Sequence, residues 1–505
     1  MGHLQTIPLT EDTKTPEPAW HPPPEPNGWK PNAIVADIAT LGVGTVAAGL
    51  FNLGLVFVIP KLVSVEDFGY WRMFALYAGY VGFLHFGFAD GALLRWAGRP
   101  LADFHHEIRP ALKYLFYQHL LVGLGISTVA VLASTGPIRF IAIALTTYAL
   151  IYNEVTLLQY ALQSAKAFRP VALSTVGAPA LFLGFALISH VKWHNHYPQI
   201  TVFFVAGWLV MLVLLLASVR PFRSERDLAN LISLVKNCIG IGWPIVFANT
   251  VVMMIVLADR LAVSWSANIQ QFAQYSLAAS AMAVPVTAIQ VCSKVFFSHL
   301  AGVTPEARRR IYGVSSRFLL IAWALLLPYY FALDEFIHRF LPKYITSLAY
   351  ARILLLSIPF LASIQILQMS CAYLNGMQKR FLVQSLVVLS LTLAATSLAA
   401  FGTHSLTLVA GVQVIVLAGW WLFNEWTLRR LSGESFGGWM KFLGLYSSAS
   451  LSYWVTTASG TEHLVLGVVT YYLCVSVLLD LLCRDEVNTS LRMFRRRSRE
   501  VEVAP

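Results

Sequence analysis

Charge is what this chain has least of. Asp, Glu, Lys and Arg together supply 12% of its 505 residues, about half the share usual in soluble domains. The length alone suggests three soluble domains, and so little charge excludes them. Cysteine is scarce too. Cys238, Cys292, Cys371, Cys474 and Cys483 show no CxxC or CxxH spacing, so no disulfide framework, metal site or cofactor is implied. No basic n-region precedes the first apolar run, so the N-terminus does not read as a signal peptide. The net charge of +11 does not point to nucleic acid, because the basic residues sit in short connections between apolar runs.

What fills the chain instead is apolar sequence, 57% of it. A membrane span needs about 20 mostly apolar residues. Fourteen such runs are read, at about 34–58, 73–93, 111–133, 138–161, 171–190, 199–219, 239–258, 273–293, 315–333, 347–371, 381–401, 405–424, 440–457 and 463–482. When the connections are assigned to alternate sides, roughly 28 of the 36 Lys and Arg fall on the side of both termini. Positive charge marks the cytoplasmic side. The expectation is an all-α polytopic membrane protein with both termini cytoplasmic. Residues 1–33 are rich in Pro and acidic groups and cannot bury apolar area, so they read as disordered. The basic tail, 484–505, reads as an anchor on anionic lipid.

The second half of the chain echoes the first. Ser64–Trp71 (SVEDFGYW) parallels Asn268–Tyr275 (NIQQFAQY), and Tyr160–Leu173 parallels Tyr373–Leu386, with Lys166 paired to Lys379 and Phe168 to Phe381. The offsets are about 204 and 213. A six-span unit repeated in the same orientation implies two lobes related by a pseudo-two-fold along the membrane normal. The expected division is a lobe at 34–220, a second at 221–425 and two additional helices at 426–483. Pro179, Pro244, Pro285, Pro328 and Pro359 are the candidate helix breakers.

An ionisable residue at membrane depth costs at least ~2.5 kcal/mol on insertion scales, so each needs a partner or water. Glu154 lies deepest, beside Asn153 in the fourth span. Asp90 and Arg95 lie at the inner end of the second, and Asp259 and Arg260 at the outer end of the seventh. Arg72 opens the second span, and Arg352 lies early in the tenth. Glu154, Asp259, Asp90 and Arg95 are candidates for ion coupling or a polar network. Each Arg also fits an interface side chain that reaches headgroups and never meets substrate.

Short motifs add a resemblance. Ser64, Glu66, Asp67, Phe68, Gly69 and Trp71 follow the first span, with Val65 in a place usually held by Pro. HFGFADGALLR follows at His85–Arg95, then Gly242, Pro244, Asp259 and Arg260, then NGMQKR at Asn375–Arg380. In this order over about residues 34–425, the pattern resembles Wzx-type oligosaccharide flippases of the multidrug/oligosaccharidyl-lipid/polysaccharide (MOP) exporter superfamily. The lipid II flippase branch also has fourteen spans, but usually carries arginines in its first span, and this chain has none.

The resemblance implies alternating-access flipping of a polyprenyl-diphosphate-linked oligosaccharide in the bacterial cytoplasmic membrane. It also implies lipids and polysaccharide assembly proteins as partners, and no catalysis. Such a cargo needs cations for its diphosphate, and the Arg fork suits phosphate. Arg72, Arg260 and Arg352 are the candidates. A small-molecule exporter of the same superfamily is the first alternative. A polytopic glycosyltransferase or ligase is the second, disfavoured by short outer loops whose one acidic doublet, Asp334–Glu335, abuts a span end.

Overall fold

The computed structural model describes residues 31–481, apart from 193–195, 220–227, 433–436, 459–464 and scattered positions between 283 and 302. The N-terminal segment, the basic tail, Trp193–Asn195 and Thr461–Glu462 therefore lie outside the described residues. All regular structure among those described is helical. Among the described residues, nine helices are long and apolar enough to cross a membrane, and Val46–Leu62 and Val465–Leu481 are shorter apolar ones.

The helices run past their apolar centres. The third span is the C-terminal two-thirds of α4, Leu101–Ala133. The seventh is the middle of α8, Leu228–Ser266, a 39-residue helix. Hydropathy marks only the stretch that lipid would cover. The polar turns beyond it stay helical because nothing breaks them.

The second span departs most from expectation. It consists of α2 (Val65–Ala78), a 3₁₀ turn (Val81–His85) and α3 (Phe88–Trp96). Between turn and helix, Phe86 and Gly87 both take left-handed backbone, at φ 49° and 79°. No proline causes the break. Pro179 and Pro244 instead lie inside continuous helices, α6 (Phe168–Lys192) and α8. Pro328 does mark a break, between α10 (Pro305–Leu326) and α11 (Tyr329–Phe340). The tenth span, α12 (Ser347–Leu374), contains a π segment at Ser363–Gln368.

Both sequence echoes correspond to local structure. Ser64 caps α2 by accepting the Asp67 amide, and Asn268 caps α9 (Ile269–Ala281) by accepting that of Gln271. Each cap satisfies an otherwise orphaned amide. At the second echo, α5 (Gly136–Ser164) closes with Ala165→Ala161, Lys166→Gln163 and Ala167→Leu162 hydrogen bonds. After α12 the same three run Asn375→Cys371, Gly376→Tyr373 and Met377→Ala372. Lys166 and Gly376 both take left-handed φ, 59° and 70°. The structural equivalent of Lys166 is thus Gly376, at an offset of 210, and the side-chain pairing with Lys379 is three residues out of register. Lettering aligned the basic residues, while the backbone aligns the turns.

We call the face of the bundle that carries Ser64 and Asn268 upper, and the face that carries Lys166 and Gly376 lower. Helices of the two halves meet at both ends. At the top, a Cβ on Gly69 would stand 2.5 Å from the Ile269 carbonyl oxygen. The Phe68 and Tyr344 rings pack edge-to-face at 5.4 Å, and Trp265 donates to the Tyr77 hydroxyl at 2.8 Å. At the bottom, backbone lies directly on backbone. A Cβ on Gly91 would stand 1.8 Å from the Cys238 carbonyl oxygen, and one on Gly242 1.9 Å from that of Gly87. Only glycine permits so close an approach. Inside the first half, Trp71, Phe74, Tyr148, Phe182 and Phe204 form an aromatic cluster with centroids 5.1–6.0 Å apart. Pairs of this kind add about 0.5–1.5 kcal/mol each and fix α2 to α5, α6 and α7 (Tyr197–Val219).

Candidate functional site

Between the two seams, a polar group joins the halves. Along the second span Arg72 lies after Gly69 and before Gly87, and along α8 Arg260 lies after Gly242. The Asp259 carboxylate is buried and accepts the Tyr275 hydroxyl at 2.7 Å and the Arg260 amide at 2.8 Å. It forms no ion pair with the Arg260 guanidinium, whose Nη2 reaches the Ala279 carbonyl at 3.3 Å. Arg72 and Arg260 lie within electrostatic reach of each other, and the Nε of each is buried without an acceptor. Each guanidinium is left with an unmet donor, and the one carboxylate beside Arg260 is already engaged by other donors. A buried cation is costly until an anion meets it, so the arrangement suits an anionic ligand group.

Arg352 stands elsewhere. Its guanidinium stacks over Trp454 at 4.2 Å and its Nη1 reaches the Thr457 carbonyl at 3.4 Å. The Tyr453 hydroxyl donates to the Arg352 carbonyl at 3.0 Å. These contacts tie α12 to α15, Gly437–Ala458, rather than to the Arg72–Arg260 space.

The other candidate residues separate as well. Arg95 turns to Glu107, which the sequence reading had not weighed, in a two-pronged pair at 3.0 and 3.1 Å. The Trp96 indole completes it at 2.9 Å. Asp90 faces His85, with Oδ2 3.6 Å from Nε2. Glu154 is buried on α5 with Oε1 unpartnered. Its neighbour Asn153 donates to the carbonyls of Val81 and Ala149 at 3.1 and 2.8 Å, which ties the 3₁₀ turn to α5.

A second buried polar group was missed by sequence reasoning. In α14, Leu406–Ser432, Glu425 pairs with Arg429 at 2.7 Å, both almost fully buried. Tyr312 donates to Glu425, Gln368 donates to it at 3.2 Å, and Arg429 reaches the Ser316 hydroxyl at 3.2 Å. The signal was an acid and a base four residues apart, the spacing of a helical pair. It was lost because the span was ended at residue 424.

No family model and no curated protein matches this sequence. Solved structures do match. A lipid II flippase MurJ structure in an inward closed conformation superimposes with a TM-score of 0.69 at 11% identity, covering 88% of this chain and 99% of that one. An outward-facing multidrug resistance MATE family transporter of the MOP superfamily gives a TM-score of 0.50 at 11% identity, covering 79% and 96%. At such identities the likeness concerns the fold, which this chain shares with these two solved structures. It superimposes well on the flippase branch that the sequence had disfavoured, because absent first-span arginines leave no mark on a backbone path.

Proposed function

We propose that the protein is a flippase for a lipid-linked precursor, with a polyprenyl-diphosphate oligosaccharide as cargo and Arg72 and Arg260 as the contacts for its phosphates. The observation that carries this reading is that Arg72, on the second span, and Arg260, on α8, each hold a buried Nε without an acceptor. Each guanidinium offers a planar fork that matches a phosphate. The solved relative that supports the reading is a lipid II flippase. The architecture we infer is fourteen spans in two six-helix lobes and two additional helices, in a bacterial cytoplasmic membrane with both termini in the cytoplasm. The lower face is then cytoplasmic. Motion alternates between parting the upper seam and parting the lower one. Arg352 acts outside the clamp, at the contact between the second lobe and the additional helices.

The test is flipping of a fluorescent polyprenyl-diphosphate sugar in proteoliposomes. Arg72→Gln and Arg260→Gln should each abolish most activity in folded protein, and Lys at either place should rescue only part of it. Full activity of the Gln double variant would sink the clamp. A drug exporter is the second reading, supported by the likeness to the MATE transporter. It predicts export of uncharged or cationic compounds that survives loss of both arginines.

A further inference from the structure

The break in the second span is unusual in what holds it. Phe86 adopts left-handed backbone, a conformation that costs a non-glycine residue about 1–2 kcal/mol, so its surroundings must impose it. Three side chains do so. Gln118 donates to the Leu84 carbonyl at 2.7 Å and Asn153 to that of Val81 at 3.1 Å. The third is His85, whose Nδ1 accepts the Gly87 amide at 3.0 Å. That bond fixes the neutral tautomer, with a lone pair on Nδ1 and the proton on Nε2, which faces Asp90 at 3.6 Å. Gly87 is also one of the glycines on which the lower seam closes against Gly242.

A second imidazole stands nearby. His119 on α4 is 3% exposed, and its chain neighbour Gln118 holds the carbonyl of Leu84, next to His85. Its Nδ1 lies 2.8 Å from the Leu115 carbonyl, so Nδ1 carries the proton and Nε2 keeps a free lone pair. That Nε2 is buried with no partner. His119 also lines a cavity of about 150 Å³ with Tyr77, Tyr80, Leu84 and Thr146. The Tyr80 hydroxyl in the same wall is unpartnered too. Asp90 from α3 faces His85, Tyr152 and Tyr160 from α5 lie beside Asp90, and Cys238 from α8 lies against Gly91.

We propose that His85 and His119 form a proton-binding site that operates the lower seam. A proton arriving through the cavity meets the free Nε2 of His119 and is shared with His85. On His85 it has one place to go, Nδ1, where it faces the Gly87 N–H head-on. Two donors then oppose each other, the hydrogen bond is lost, and Asp90 balances the new charge. The left-handed turn loses its pin, Gly87 withdraws from Gly242, and the seam parts. One proton is taken up and no covalent bond changes. By linkage, the parted state binds the proton more tightly than the closed one. The inference rests on the alternating-access reading above, but its test needs no cargo.

Cys238 reports the seam, because it is fully buried against Gly91. With Cys292, Cys371, Cys474 and Cys483 changed to Ser, maleimide labelling of Cys238 is followed from pH 8 to pH 5. Each rate is divided by that of the unfolded chain at the same pH, which removes thiol ionisation. The ratio should rise at least about five-fold as pH falls through the histidine range. His85→Gln can accept the Gly87 amide but cannot take a proton, so its ratio should stay low and flat. A His85→Gln variant that keeps the parental pH response overturns the proposal, as does a flat response in the parent. If His85→Gln does not fold, His119→Gln decides: a lost or displaced response supports the site, and an unchanged one rejects it. Loss of flipping with pH-gated labelling intact would reject the cargo reading and leave the proton site standing.

Discussion

The lower seam gives the sharpest quantitative prediction, for Gly91→Ala. The new Cβ would lie 1.8 Å from the Cys238 carbonyl oxygen, 2.5 Å from its carbon and 2.7 Å from Cα. All three are backbone atoms of a continuous helix, so no rotamer change can relieve the clash. Reaching ordinary contact at 3.4 Å demands a retreat of about 1.6 Å. Overpacking of this kind costs about 1–3 kcal/mol where the parts cannot separate. Here the two helices belong to different halves, so they can. The cost then falls on the closed state alone and shifts the balance toward the parted state by about 5- to 150-fold. The assay is the normalised labelling rate of Cys238 in the single-cysteine background at pH 8. Gly419→Ala and Gly444→Ala are the controls, because a Cβ there meets nothing within 4 Å, while the gain of about 1 kcal/mol in helix propensity is shared by all three. Faster labelling in Gly91→Ala alone supports the reasoning. An unchanged rate in folded Gly91→Ala, or an equal increase in the controls, refutes it.

Two further predictions concern stability, read as thermal unfolding in detergent. Removing one partner of a buried ion pair costs about 3–5 kcal/mol, so Glu425→Gln and Arg429→Met should each lower the melting temperature clearly. The Glu425→Leu/Arg429→Met double variant should recover much of the loss, and single variants as stable as the parent would contradict the burial seen here. Lys166→Gly should stabilise by about 1 kcal/mol, since only the Cβ makes its left-handed φ unfavourable; the Lys166→Ala variant, which keeps the Cβ, should show no such gain.

The sequence carried the helices well, since runs of apolar residues have few alternatives to a bilayer-spanning helix. It carried the duplicated turns too, because N-caps at Ser64 and Asn268 are written in the side chains themselves. It did not carry the break at Phe86–Gly87. That break arises from long-range donors, Gln118 and Asn153, which no local pattern announces. Prolines were the visible breakers, yet Pro179 and Pro244 are absorbed within helices. In the candidate site, Arg72 and Arg260 stand out as rare charges in apolar runs, and the structure leaves the Nε of each buried without an acceptor. Arg352 looked identical by that criterion. Its pairing with Trp454 depends on a helix that follows it by about a hundred residues, beyond anything spacing can reveal.

The π segment at Ser363–Gln368 bears on how this chain can be recombined. A π turn is an α-helix holding one residue more than its neighbours need. One residue is worth about 100° of rotation about the axis. The part of α12 above the segment, with Arg352 against Trp454, is therefore turned relative to the part below, where the Leu374 carbonyl accepts from Arg308 at 2.9 Å. A chimera that joins an upper α12 from one protein to a lower α12 from another must conserve the residue count through this turn. If a single residue is dropped, every side chain on one side of the junction points a quarter-turn away from its partner, although no contact residue has been altered.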